Sequence, residues 1–404
     1  MGRRVNETRP TNGGKTMQTQ ENTVQRDGAV WLAGEASGDL IASMVIPEVQ
    51  RRMEGALQYG IGGPKMREVG FRCWHDINEL SVRGYVEVLA HLPRLLKLRR
   101  SLGGRIADSL PRVFVGVDAP DFNLGLETEL RRRQIPVVHL VSPSIWAWRP
   151  ERIQTIRRAV DHMLLVFPFE EEIYRKAGIP ATFVGHPLAS MIPEEPDTVG
   201  ARTALNVPLN DRVLTVMPGS RSSELSGCAP IFFDAVERLM KRSGPVSVIV
   251  PAIDDQAKAS LEQLANQYPR LAERLTVVVG QSHRAIEAAD AVLVASGTAA
   301  LECALYKKPM VVGYKMPGFT GLLMEKKGLI DYVSLPNILA RERLVPEFLQ
   351  YFCEPDAISW SIEDALTNDK RRAYLVERFQ AMHADLKADT ANLAADVICQ
   401  YARH

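Results

Sequence analysis

The chain has 404 residues, enough for two ordinary domains, and its 46% hydrophobic and 24% charged residues exclude a fibre or a disordered chain for all but one end. A net charge of +1 conceals an asymmetry, since residues 81–160 carry 14 Lys and Arg against 7 Asp and Glu while the remainder is acidic by 6. No run approaches the roughly 20 apolar residues of a membrane span, and the five cysteines and eight histidines form no C-x-x-C or H-x-x-x-H spacing.

Residues 1–27 are nearly all polar, with only Met1, Val5, Met17 and Val24 apolar; they cannot bury a core, are expected to be disordered, and lack the apolar stretch of a signal peptide. A cytoplasmic location is therefore expected. The first strand-like run, AVWLAG at 29–34, opens into Gly34-Glu35-Ala36-Ser37-Gly38-Asp39. This glycine loop departs from G-x-G-x-x-G because Glu35 and Asp39 put carboxylates where a dinucleotide needs its pyrophosphate, so a nicotinamide cofactor is not expected. Glu35, Ser37 and Asp39 instead suit sugar hydroxyls, or else Asp39 serves only as an N-terminal helix charge. Residues 82–106 then mix Val86, Val88, Leu89, Leu92, Leu95, Leu96 and Leu98 with Arg94, Lys97, Arg99, Arg100 and Arg105. That density suits a helix entering an anionic lipid surface, and it also describes an amphipathic helix lying on a sheet; Pro93 predicts two short pieces over one long helix.

The run VFVGV (113–117) leads into Asp118-Ala119-Pro120-Asp121-Phe122-Asn123, a proline-stiffened turn with two carboxylates at a strand's end. A general base belongs at such a place, although either Asp can cap the next helix, Asp121 the more readily. After VVHLV (137–141) comes Ser142-Pro143-Ser144-Ile145-Trp146-Ala147-Trp148-Arg149, whose aromatic faces and cation suit a sugar or phosphate rim or plain packing. MLLVF (163–167) and Gly185-His186-Pro187 close this half, with His186 read as a structural contact near a cleft and, secondarily, as a base. Residues 187–202, rich in proline and acid, are the expected linker.

The second half repeats the alternation with VLTVM (213–217), VSVIV (246–250), LTVVV (275–279), AVLVA (291–295) and MVVGY (310–314). Strands apolar on both faces alternating with helices mean parallel sheets, hence α/β architecture with two Rossmann-like domains facing a cleft, over 28–187 and 188–369, and closing helices at 370–404. Pro218-Gly219-Ser220-Arg221 offers backbone N–H groups and a permanent cation to a phosphate. Ser296-Gly297-Thr298 opens a helix whose N-terminus can take a diphosphate, with Glu302 one turn on to accept from ribose hydroxyls. Asn337 adds a polar contact or simply shapes a turn. With no D-x-D triplet for a divalent ion, metal-free chemistry is expected, Arg221 and the helix N-terminus taking up the charge on a leaving diphosphate.

Taken together, AGEASGD (33–39), GVDAPDFN (116–123), SPSIWAWR (142–149), GHP (185–187), PGSR (218–221), ASGTAALE (295–302) and DYVSLPN (331–337) resemble the lipid-A-disaccharide synthase family in order and spacing from about residue 29 to the end. The resemblance implies the GT-B glycosyltransferase fold, with the last helices crossing back onto the first domain. It implies transfer from UDP-2,3-diacylglucosamine to 2,3-diacylglucosamine 1-phosphate (lipid X), with inversion to a β-1,6-linked disaccharide and release of UDP. On it, Asp118 and Arg221 are catalytic, and Gly219, Ser220, Arg221, Ser296, Gly297, Thr298, Glu302 and Asn337 meet the donor. Glu35, Ser37, Asp39, Asp121, Trp146 and Arg149 then line the acceptor wall. Acylated substrates favour peripheral attachment to an anionic inner-membrane surface, on its cytoplasmic face, through Leu92, Leu95, Leu96, Arg94, Lys97, Arg99 and Arg100. No cofactor and no nucleic acid are expected, and a homodimer is left open. A UDP-N-acetylglucosamine 2-epimerase-like isomerase and a non-catalytic nucleotide-sugar-binding protein are the rival readings; the first has no use for leucine–arginine surface helices and the second does not need Asp118.

Overall fold

The computed structural model describes residues 28–80, 85–147, 149–295, 297–315 and 332–403, with the backbone alone over 85–92. The tail, Trp148, Ser296 and Asp331 lie outside the described residues, as does the side chain of Leu92. Two all-parallel sheets organise the chain. The first contains β1 (Ala29–Ala33), β2 (Gln58–Gly62), β3 (Arg72–Asp76), β4 (Val113–Val117), β5 (Val137–Leu140), β6 (His162–Leu165) and β7 (Ala181–Phe183), in the order β3-β2-β1-β4-β5-β6-β7. The second contains β8 (Val213–Met217), β9 (Ser247–Ala252), β10 (Leu275–Val279), β11 (Ala291–Ala295), β12 (Met310–Tyr314) and β13 (Glu347–Leu349), in the order β10-β9-β8-β11-β12-β13. The central strands β1, β4, β5 and β11 are buried along their whole length, as helices on both faces require.

Four strands carry too little apolar character to stand out in the sequence. β3, β7 and β13 are edge strands, the last two of only three residues, and β2 reads QYGIG. Gly60 in β2 is there because a Cβ would lie 2.1 Å from the carbonyl oxygen of Trp31. The expectation of a break at Pro93 is corrected: a single helix runs from Tyr85 to Ser109 through it. Its C-terminal half is anchored by buried Leu102 and Ile106, with Leu98 packed against the same core, and this offsets the hydrogen bond that proline removes. Among the described residues no helix is long and apolar enough to cross a membrane.

Each sheet reverses its strand order at one point, between β1 and β4 in the first and between β8 and β11 in the second. Such a reversal leaves a crevice at the carboxyl ends of the strands, because the flanking connections leave to opposite sides. The two closing helices join the lobes. Asp369–Leu386 buries Leu375, Phe379, Met382 and Leu386 in one cluster with Ile192, Leu301 and Leu305, and the amide of His186 donates to the Leu386 carbonyl at 2.8 Å. Thr390–Tyr401 crosses back and buries Ala394, Ala395 and Ile398 in the core of the first sheet, with Arg52 bonded to Asn392 and Asp396. Ile398 is fully buried, so Ile398→Ala is expected to destabilise the protein by about 2–4 kcal/mol in urea unfolding, through lost burial and a residual cavity.

Candidate active site

All four loops at the two switch points are ones the sequence singles out: Glu35–Asp39 follows β1, Asp118–Asp121 follows β4, Pro218–Arg221 follows β8, and Gly297–Glu302 follows β11. On the first wall, Asp118 and Ala119 both have left-handed backbones (φ 52° and 44°) before the helix Pro120–Arg132 begins. Gly34 gives that turn its room, since a Cβ there would lie 2.4 Å from the Ala119 Cβ. Glu35 and Ser37 are exposed. The carboxyl of Glu35 is pushed above its ordinary range by partial burial and by the neighbouring Asp118 charge, against the opposing pull of Arg221. Glu35 of the first lobe thus stands in the fields of both Asp118 beside it and Arg221 of the second lobe.

Asp39 is corrected. Its carboxylate is buried and accepts from the amides of Gly63 (2.7 Å), Lys65 (2.9 Å) and Met66 (3.1 Å), so it caps the helix Pro64–Glu68 and cannot serve a sugar hydroxyl. Asp121 is exposed and paired with Arg152, with Arg149 4.0 Å away. Trp146 is half-buried, donates from Nε1 to Glu170 at 3.1 Å and stacks edge-on against Phe169. Burial drives the Glu170 carboxyl up to about 8, even though the hydrogen bonds from Ser142, Trp146 and the Phe167 amide favour its ionised form. His186 caps the helix Pro187–Met191, its Nδ1 accepting from the Leu188 amide at 3.3 Å, and burial lowers its pKa to about 4. A neutral, buried, already-bonded imidazole fits the structural role.

On the second wall, Gly219 has φ 117°, and the amides of Ser220 and Arg221 both donate to Glu224 Oε2, at 3.0 and 3.2 Å. Those N–H groups, expected to meet phosphate, are engaged by a carboxylate three residues into the next helix. The Arg221 side chain is left 76% exposed, 3.9 Å from Glu224 at its nearest, and is the cation this loop presents. Gly297 and Thr298 are exposed at the start of the helix Thr298–Leu305. Glu302 sits below them with 17% of its side chain exposed, its carboxyl raised to about 7 by burial and His283 Nε2 3.5 Å away. Asn337 is corrected: it is fully buried, its amide bonded to both backbone groups of Val345 and to Glu347, and it pins the start of β13. Among the described residues, no cluster of three or more His, Cys, Asp or Glu could hold a metal.

Sequence reasoning missed Glu224, although Arg221-x-x-Glu224 has the spacing of a helix-start carboxylate. It also missed His283 and the buried Glu127–His139 pair, which are remote in sequence from what they touch.

Two parallel-sheet lobes, each with one switch point, are the GT-B fold. The family signature Lipid-A-disaccharide synthetase matches residues 30–400. Lipid-A-disaccharide synthase of Cupriavidus pinatubonensis is 50% identical over 386 residues, covering 95% of this chain and 96% of that protein. Its counterpart in Burkholderia pseudomallei is 47% identical over 370 residues, covering 91% and 95%. The chain belongs to the lipid-A-disaccharide synthetase family. Solved structures share the fold at low identity: a putative UDP-N-acetylglucosamine 2-epimerase from Listeria monocytogenes (TM-score 0.60, 12% identical, 93% and 95% covered) and MurG from Acinetobacter baumannii (0.56, 15%, 93% and 99%).

A carboxyl raised by burial weakens the fold once it ionises. The folded state holds the Glu302 proton up to about pH 7 and the unfolded chain releases it near 4.5, so stability falls as pH rises through that window. Glu302→Gln is expected to raise stability at pH 8 by on the order of 1–3 kcal/mol, with no gain at pH 4, in unfolding curves taken at both values.

Proposed function

We propose that this chain condenses UDP-2,3-diacylglucosamine with 2,3-diacylglucosamine 1-phosphate, forming the β-1,6-linked lipid A disaccharide 1-phosphate and UDP. The observation that carries the reading is that Glu35 feels the charges of both Asp118 and Arg221, in a chain half identical along nearly its whole length to a lipid-A-disaccharide synthase. Asp118 takes the proton of the acceptor 6-hydroxyl as its oxygen attacks the anomeric carbon from the face opposite the diphosphate. The bond from that carbon to the β-phosphate oxygen breaks, its electron pair leaves with UDP, and one displacement inverts the centre. Arg221 and the N-terminus of the helix Thr298–Leu305 take up the charge on the departing diphosphate, so no step requires a divalent ion. Glu302 receives the ribose hydroxyls, while Gly219, Ser220, Gly297 and Thr298 shape the diphosphate loop.

Residues 28–187, with the crossing helix Thr390–Tyr401, form the acceptor lobe in this reading, and 188–369 the donor lobe. In this reading Glu35, Ser37 and Trp146 line the acceptor wall, and Arg149, 4.0 Å from Asp121, takes the acceptor phosphate. Acyl chains contribute about 0.8 kcal/mol per buried CH₂ and do not leave a bilayer for a dissolved enzyme, so the enzyme attaches peripherally to the cytoplasmic face of the inner membrane. On the helix Tyr85–Ser109, Arg94, Lys97 and Arg100 are exposed beside half-buried Leu95 and Leu96. Arg99 is directed differently: a Cβ at Gly125 would lie 2.4 Å from its Nη1, so it packs on the helix Pro120–Arg132.

Purified protein given both acylated substrates in detergent with a chelator is expected to yield the disaccharide by mass spectrometry. Asp118→Asn should lower kcat by about 10²–10⁴ and Arg221→Ala by about 10²–10³. UDP formed without any disaccharide would favour the isomerase reading. Release from anionic vesicles as salt rises tests the surface patch, since exposed charges are screened over about 8–10 Å at physiological ionic strength.

A further inference from the structure

Beneath the Asp118 turn lies a pair of side chains that the proposed chemistry does not use. His139 of β5 and Glu127 of the helix Pro120–Arg132 are both wholly buried, with Nδ1 and Oε1 2.6 Å apart. In the parallel register His139 stands beside Gly116, and the amide of Asp118, two residues further along, donates to the Leu140 carbonyl at 2.9 Å. Gly116 provides the space: a Cβ there would lie 1.9 Å from Glu127 Oε1 and 3.0 Å from His139 Nδ1. One turn earlier on the same helix, buried Asn123 donates to the carbonyl of Asp118 at 2.7 Å. Asn123, Glu127 and His139 therefore make a polar column that ends on the backbone of Asp118, within a core otherwise built from residues such as Val115, Leu126 and Leu140.

Such a column is a poor way merely to fill a core. Asn123 Oδ1, Glu127 Oε2 and His139 Nε2 are buried with no hydrogen-bond partner among the described residues. Each unmade bond costs about 1–3 kcal/mol, whereas well-packed apolar side chains in place of a buried ion pair are often neutral or stabilising. Directly above stand two consecutive non-glycine residues with left-handed backbones, a conformation that persists only where its surroundings over-determine it. Burial opposes a charge on the His139 ring, but the Glu127 charge and hydrogen bond, with the field of Asp118, prevail and raise its pKa.

We propose that Glu127 and His139, together with Asn123, are positioning residues that fasten the helix Pro120–Arg132 to β5 and so hold the Asp118 carboxylate against the acceptor hydroxyl. The proposal rests on the reading of Asp118 as the base. The pair clamps the helix and the neighbouring strand just below the strained turn, and Asn123 transmits that anchorage to the Asp118 carbonyl.

The test is steady-state kinetics with unfolding curves on the full-length chain. The E127L/H139L double variant is expected to unfold at the parental urea midpoint yet lose at least tenfold in kcat, with KM for both substrates within twofold. E127Q, which keeps an oxygen to accept from the imidazole, should restore kcat to within threefold of the parent. Asn123→Ala should lose at least tenfold in kcat with unchanged KM, and it decides the matter if the double variant does not fold. A folded double variant with parental kcat, or a fully active Asn123→Ala, overturns the proposal. Asp118→Asn in the same assay separates the two readings. If it is fully active both fall; if it is inactive while E127L/H139L retains parental kcat, only this one does.

Discussion

The structure depends on one constraint of parallel sheets: where the strand order reverses, the connections on either side leave in opposite directions and the carboxyl ends of two strands are uncovered. This chain has two such places, and the four strands that flank them, β1, β4, β8 and β11, each end in a loop with a charged or hydroxyl-bearing group. Charges of both signs stand in these loops. Asp118 and Glu35 stand on one side and Arg221 on the other, close enough for Glu35 to respond to both. The helix Thr298–Leu305 adds the positive end of its dipole to the Arg221 side.

Holding polar groups in place at this cleft costs stability, and the rest of the fold offsets it. Glu302 and Glu170 are carboxyls raised to about 7 and about 8 by burial, the first on the helix that follows β11 and the second bonded to Trp146. The Asp118–Ala119 turn is left-handed at two residues with side chains, at a cost of roughly 1–2 kcal/mol each. These features are supported by apolar central strands and by closing helices that pack into the cores of both lobes. The buried links around the crossover follow the same logic. Lys307 Nζ donates to the Pro193 carbonyl at 3.1 Å and to His383 Nδ1 at 2.8 Å, and His383 Nε2 bonds to Ala189 O at 2.7 Å. Together they tie residues 189–193, the end of the Thr298 helix and the bridging helix into one junction.

Most of the architecture was legible in the sequence because central parallel strands must be apolar on both faces, and nine such runs announce themselves. β2, β3, β7 and β13 were not, since strands at or next to an edge need few apolar residues. Pro93 misled because a rule of local backbone chemistry gave way to burial of Leu102 and Ile106 further along the helix. At the switch points, residue type and position after a strand singled out the segments that hold Glu35, Asp118, Arg221 and Glu302, and these do follow β1, β4, β8 and β11. The same reasoning overreached for Asp39 and Asn337. Both are polar residues in motif loops, but their partners, the amides of Gly63, Lys65 and Met66 and the backbone of Val345, come from other segments and could not be read locally. Glu127 and His139 escaped for the same reason, as helix spacing links Glu127 to Asn123 but nothing in the sequence links it to β5.

A crystal structure with UDP and the acylated glucosamine 1-phosphate both bound tests the central claim most directly. The account predicts an Asp118 carboxylate oxygen about 2.6–3.2 Å from the acceptor 6-hydroxyl, with the Arg221 guanidinium on the diphosphate across the cleft. A complex in which another group holds that hydroxyl, or in which Arg221 points to solvent while the diphosphate is bound elsewhere, would contradict it.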